Sequence, residues 1–229
     1  MNINYNTAVL VTASTLLMAC GAEENYNSAT PFVIPLLKNL PVCGHVVGQP
    51  LDTSPDGGIN NTSQDNASGT CLKIAEANYS GQTHWFTGTP SVAVMEFLRF
   101  GQDDPYNDTR SYADTFIEDG TNGPLGKEFA RFRQDGKGTA QHERYCQYLG
   151  EINFAGVGDW HRPTKEELNN LYNTFGNMWE NLGWPTGSYY WSMDLLSGEA
   201  YSRVNLASGV DYFAAIRNDP NYGLCVSDR

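Results

Sequence analysis

Pro163-Thr164-Lys165-Glu166-Glu167-Leu168, followed by Leu171-Tyr172 and Phe175-Gly176, specifies one helix with both ends marked. Thr164 and Glu167 are three apart, the spacing of a capping box in which each side chain satisfies the other's backbone N–H. Leu168, Leu171, Tyr172 and Phe175 fall at i, i+3, i+4 and i+7 and form one apolar stripe that needs a partner surface. Pro163 can pack on Leu168 ahead of the cap, and Gly176 suits the C-terminal end.

Working outward, Thr139 is placed to cap a second helix running to Leu149, with Ala140, Tyr145, Cys146 and Leu149 inward. Glu128–Arg133 alternates like a strand of unassigned register. Leu72-Lys73-Ile74 and His84-Trp85-Phe86 are strand-like. Thr89 with Pro90 at N1 opens a short helix that stops at Phe100-Gly101. Downstream, residues 188–192, 201–206, 211–216 and 224–227 are short β runs, with Ala207-Ser208-Gly209 turning between the second and third. Helices set among runs of strands predict an α+β domain, two helices packed on short antiparallel sheets with many loops.

The 229 residues carry 40% apolar side chains, enough for a core, and a net charge of −12. That charge argues against attraction to nucleic acid or to an anionic membrane surface. No G-x-S-x-G elbow, H-E-x-x-H helix or phosphate-binding glycine loop occurs, and the four histidines are scattered. The acidic stretch 102–110 lacks EF-hand spacing and is expected to be a solvated loop. The expected protein is therefore not an enzyme, and no cofactor or metal is expected.

Thr7–Ala19 is an apolar stretch of about 13 residues, too short to span a bilayer and of signal-peptide length. Leu17-Met18-Ala19-Cys20 resembles the bacterial lipobox, which implies acylation of Cys20, export, and the outer membrane or cell surface as destination. Met1–Asn6 has no Lys or Arg, a departure from the usual leader. The expected organisation is a signal peptide at 1–19, a proline-interrupted tether at 20–40, and a domain at 41–229. Membrane contact would run through the lipid only.

With Cys20 set aside, Cys43, Cys71, Cys146 and Cys225 remain in an oxidising compartment. Three connectivities are possible, and the sequential one, Cys43–Cys71 with Cys146–Cys225, is favoured. The longer loop would gain about 4 kcal/mol from chain entropy. His142 and Cys146 are four apart, but two ligands make a poor metal site.

Asp159-Trp160-His161-Arg162-Pro163-Thr164-Lys165-Glu166-Glu167-Leu168 resembles the D-W-R-L-P-T-x-x-E-L motif of the Lcl C-terminal domain family. Ala140 and Tyr145-Cys146 precede it, and Gly183-Trp184-Pro185-Thr186, Tyr190-Trp191-Ser192 and Cys225-Val226 follow, in the same order. Similar modules end intimin/invasin-like bacterial adhesins, with further likeness at Trp85-Phe86-Thr87, Pro90–Glu96 and Phe132–Gly136. The resemblance spans roughly 41–229, an N-terminal extension at 41–125 and a lectin-like core at 126–229. It implies a C-type-lectin-like fold and adhesion to a glycan or protein receptor. Here His161-Arg162 replaces Arg-Leu, and the Glu-Pro-Asn and Trp-Asn-Asp triplets of calcium-dependent sugar binding are missing.

Residues 177–194 concentrate Trp179, Trp184, Tyr189, Tyr190 and Trp191. Aromatic rings bring large contact area at little entropy cost, and flanking carboxylates can bond hydroxyls. Trp184, Tyr189 and Tyr190, with Asp194 and Glu199, are thus the expected ligand-binding residues. Sulfated glycans would need a basic patch, for which only Arg131, Arg133, Arg144 and Arg162 are available, so neutral glycans or proteins rank higher. A structural envelope lipoprotein partnering another surface protein is the alternative. A formylglycine-generating type of enzyme, of related topology, would need free reactive thiols.

Overall fold

The computed structural model describes residues 39–102, 110–134, 140–198 and 200–229. The leader, Cys20, residues 103–109, Thr139 and Glu199 lie outside the described residues. In chain order the elements are β1 (Ile74–Tyr79), β2 (Gln82–Thr87), α1 (Val92–Phe97), β3 (Gly101–Gln102), β4 (Ser111–Tyr112), β5 (Asp114–Ile117) and β6 (Glu128–Phe132). There follow α2 (Gln141–Glu151), α3 (Lys165–Phe175), α4 (Met178–Leu182), β7 (Tyr190–Ser197), β8 (Ala200–Asn205), β9 (Val210–Ile216), β10 (Asn221–Tyr222) and β11 (Val226–Asp228). They form a sheet β1-β2-β11, a six-stranded sheet β5-β6-β10-β7-β8-β9, and a small parallel pair β3-β4.

The fold is α+β, as expected, in an arrangement consistent with the C-type-lectin-like class. The β1–β2 hairpin closes through Ser80 and Gly81, whose φ of 52° and 82° suit a two-residue turn with both residues left-handed. β11 joins the other edge of β2, so the end of the chain completes the first sheet. In the large sheet β10 bridges the halves, antiparallel to β6 and parallel to β7.

The capping box forms as its spacing predicts. Thr164 Oγ1 accepts from Glu167 N (3.2 Å), and Glu167 Oε2 accepts from Thr164 N (2.7 Å). Leu168 and Leu171 are fully buried, worth about 2 kcal/mol each. Their stripe packs toward β1, β7 and β8, so α3 fastens the two main sheets together. The other starts differ from expectation. Ser91, not Thr89, caps α1 by accepting from Val94 N (3.1 Å). Ala140 holds the cap position of α2 with no side-chain bond. A fourth helix, α4, starts where Asn177 Oδ1 accepts from Trp179 N (3.0 Å) and ends at left-handed Gly183. A Cβ on Gly183 would lie 2.6 Å from Gln64 Cα, so only glycine lets these chains approach.

Two cores result. One gathers Phe100, Phe132, Tyr145, Leu149 and Trp160 around α1 and α2. The other sets Phe86, Phe129, Leu168, Leu171, Trp184 and Tyr222 between the sheets and α3–α4. β6 feeds both, which explains its ambiguous pattern: Phe129 and Phe132, an odd number apart, point to opposite faces and both are buried. The disulfides are Cys43–Cys71 and Cys146–Cys225, the sequential pairing. The first closes the glycine-rich loop, which delivers Ile59 and Ala67 to the cores. The second ties α2 to the residue preceding β11.

Candidate binding face

Beyond β10 the large sheet continues as β7, β8 and β9, and its two faces meet different surroundings. Tyr190 pairs with Val204, which pairs with Asp211, and that face lies under α3. Asp194 is fixed there, accepting from Lys165 N at the first turn of α3 (2.5 Å). Asp211 accepts from Asn169 Nδ2 (3.3 Å). Trp191, Arg203 and Tyr212 are paired across the strands one position along, so they occupy the opposite face.

That second face is an aromatic platform around one arginine. Trp191 forms its buried floor, its Nε1–H donating to Phe132 O (2.7 Å), with Tyr201 edge-on to it at 6.3 Å. The Arg203 guanidinium lies 4.5 Å from the Tyr189 ring centre and 5.9 Å from that of Tyr212, and donates to Asn221 Oδ1 (3.1 Å). Tyr189 and Tyr212 meet edge to face at 4.9 Å. Burial and the neighbouring Tyr212 hydroxyl raise the Tyr189 phenol above its ordinary range, so it stays neutral.

The rim is apolar and open. Of the ten exposed large apolar side chains among the described residues, six lie on β7 and β9: Met193, Leu195, Leu196, Val210, Tyr212 and Ile216; by their pairing Leu195, Val210 and Tyr212 share the platform face, whereas Ile216, opposite Ala200, is on the other. Such a concentration makes this end of the sheet the candidate contact surface. β9 is the sheet edge, and register shifts in the β7–β8 and β8–β9 ladders bend it where bulges commonly re-aim side chains.

Of the residues expected from sequence, Tyr189 alone lies on this face. Trp184 and Tyr190 are corrected to core positions, both fully buried. α4 and Pro185 turn the Trp184 indole inward. The Tyr190 hydroxyl is spent on Pro185 O, and its ring packs on Tyr222 at 5.4 Å. Asp194 holds the start of α3. Glu118 fixes the loop before β7, accepting from Gly187 N (3.0 Å) and the Tyr222 hydroxyl (2.6 Å), and burial raises its carboxyl. Tyr201, Arg203 and Tyr212 were not expected.

Three of the four arginines considered as a basic patch are engaged elsewhere. Arg131 binds Asp114 through two bonds (2.8 and 2.7 Å), Arg162 pairs with Glu143 (3.0 Å), and Arg133 donates to Asn218 O (3.0 Å). A cleft lined by Glu143, Gln147, Trp160, His161, Arg162 and Met193 holds the Arg162–Glu143 pair.

Residues 115–226 match the family model described as an adhesion domain, InvE_AD. The solved adhesin InvE of Yersinia pseudotuberculosis is similar at 15% identity and a TM-score of 0.45, over 72% of this chain and 39% of its own. The chain thus spans about two fifths of that adhesin. No curated protein matches. The segment bearing the aromatic face is similar to a bacterial adhesion domain.

Proposed function

We propose that this chain is a non-catalytic, surface-exposed adhesin module that binds a protein receptor on another surface through the open face of β7–β9. The observation that carries the reading is the cluster of Tyr189, Tyr201, Arg203 and Tyr212 inside an exposed apolar rim. Tyrosine and arginine are, with tryptophan, the side chains enriched at binding hot spots, and an apolar rim with an open strand edge suits a polypeptide better than a sugar. With its net charge of −12, the protein favours neutral or basic partners over sulfated polyanions. The lipobox-like Leu17–Cys20 supports a lipid anchor on Cys20, with residues 20–40 as tether and 41–229 as the exported domain.

Binding to panels of immobilised extracellular-matrix proteins and of neutral glycans tests this reading. Tyr212→Ala should weaken the protein interaction about 30-fold, the loss of a hot-spot residue, with an unchanged melting temperature. Undiminished binding by Tyr212→Ala, or binding confined to the glycan panel, refutes it.

A further inference from the structure

Near the hairpin end of the β1–β2–β11 sheet, three elements bring together side chains that metals use. His84 sits on β2, the middle strand of its sheet, and Asp228 lies opposite it on β11. Glu167 is in the first turn of α3. One donor atom from each lies within 4.8 Å of the others.

His84 is 5% exposed, yet neither ring nitrogen has a hydrogen-bond partner. Asp228 Oδ1 is only 3.0 Å from Nδ1 but lacks the alignment a hydrogen bond requires, and Glu167 Oε1 is 3.9 Å away. Buried imidazoles are rarely left unbonded, because the lost hydration is not recovered. Glu167 is divided in its duties: Oε2 accepts from Thr164 N and Oγ1, whereas Oε1 is the oxygen turned toward His84. Tyr79 and Phe86 wall the imidazole with aromatic surface, while the Asp228 side chain is 59% exposed and opens the group to water.

We propose that His84, Glu167 and Asp228 form a binding site for a divalent transition metal of the zinc type, with solvent water completing the coordination. Donors on a tetrahedral zinc stand about 3.3 Å apart, given bonds near 2.0–2.1 Å. The distances from Nδ1 bracket that value, and rotation of the exposed Asp228 side chain closes the remainder. Two carboxylates neutralise a dication, and imidazole favours zinc over calcium, which prefers oxygen throughout. The capping box acts as the outer support, since its bonds to Oε2 hold Glu167 in the orientation that presents Oε1. Bound metal would pin the last strand to both the sheet and α3. The site is independent of the proposed binding face.

The test uses the full chain, stripped with EDTA and titrated with Zn2+ by calorimetry and thermal melting. One zinc per chain is expected, with a melting temperature raised by about 5–10 °C at a hundredfold excess over Kd. Asp228→Asn, at an exposed position, should keep the metal-free melting temperature and lose at least tenfold in zinc affinity. His84→Gln should abolish binding. No stoichiometric binding, or wild-type zinc affinity in Asp228→Asn, overturns the proposal.

Discussion

His142 makes this domain sensitive to acid in a way that can be worked through quantitatively. It lies in the first turn of α2, fully buried, stacked on Phe132 at 6.0 Å. Its Nε2 is 2.7 Å from Leu224 O, which fixes Nε2 as the nitrogen that donates, while Nδ1 has no partner. A second proton must therefore go to Nδ1 inside the core. Burial first, and the nearby Arg162 guanidinium second, hold the imidazole down to about 3. The folded value is below the unfolded one near 6.5, so between the two the unfolded chain binds the proton first. The stability His142 contributes is present above about pH 6.5 and is lost as pH falls toward 3, at about 1.4 kcal/mol per pH unit.

At pH 4.5 the loss approaches about 2.5 kcal/mol, a large part of the 5–15 kcal/mol typical of a domain. Urea unfolding at pH 7, 5.5 and 4.5 measures it, with His142→Gln as the comparison. The glutamine amide can donate to Leu224 O but cannot be charged, and carboxylate titration elsewhere is common to both proteins. The wild type should lose about 2–3 kcal/mol more than the variant between pH 7 and 4.5. Parallel pH profiles would refute the reasoning.

Lys73 acts in the alkaline range. Burial lowers its amine to about 7, and Nζ donates to Asn61 O (2.8 Å). Its folded value is below the unfolded one, so stability should rise by a few kcal/mol between about pH 7 and 10, as denaturant melts would show, and Lys73→Met should flatten that rise. The disulfides should differ in worth because they close 79 and 28 residues: replacing Cys146 and Cys225 by Ala should cost about 4–5 kcal/mol, and replacing Cys43 and Cys71 about 1 kcal/mol less, in non-reducing urea melts.

What could be read in advance follows the range of the interactions. α3 is legible because its cap, stripe and stop are all local, and the cysteine pairing because the sequential order joins neighbours along the chain and staples the glycine-rich loop. α4 carried the same kinds of signal in Asn177 and Gly183, but over five residues that read as an aromatic loop. Residues 177–194 drew attention by ring count, which says nothing about which face α3 will cover. Trp184 and Tyr190 faced the core, and Tyr189 faced out. The rest of the platform was within reach by counting back from the Ala207–Gly209 turn. Asn205 opposite Val210 places Arg203 opposite Tyr212, and Tyr201 shares the Arg203 face. The bulges in β7 and β9 leave no such mark, since they arise from pairing between distant segments.

The placement of the fastenings bears on how such a face could work. The final residues are held by the bridge at Cys225, the His142 bond to Leu224 O, two backbone bonds between Val226 and His161, and Arg229 stacked on Trp85 at 3.8 Å. The first described residues are held by Cys43–Cys71 and by Leu72 N donating to Pro41 O (2.9 Å). β9, by contrast, is an edge strand laddered to β8 alone, with Asp211 tied to Asn169 on one face and Tyr212 to Tyr189 and Arg203 on the other. Under the proposed reading, a pull between a tether ending at residue 40 and a receptor on β9 meets covalent closure where the chain enters the domain. At the other end it meets noncovalent contacts, the strand ladders and the side-chain bonds around them. On that reading the edge strand β9 can adjust to a partner more readily than the disulfide-closed cores behind it.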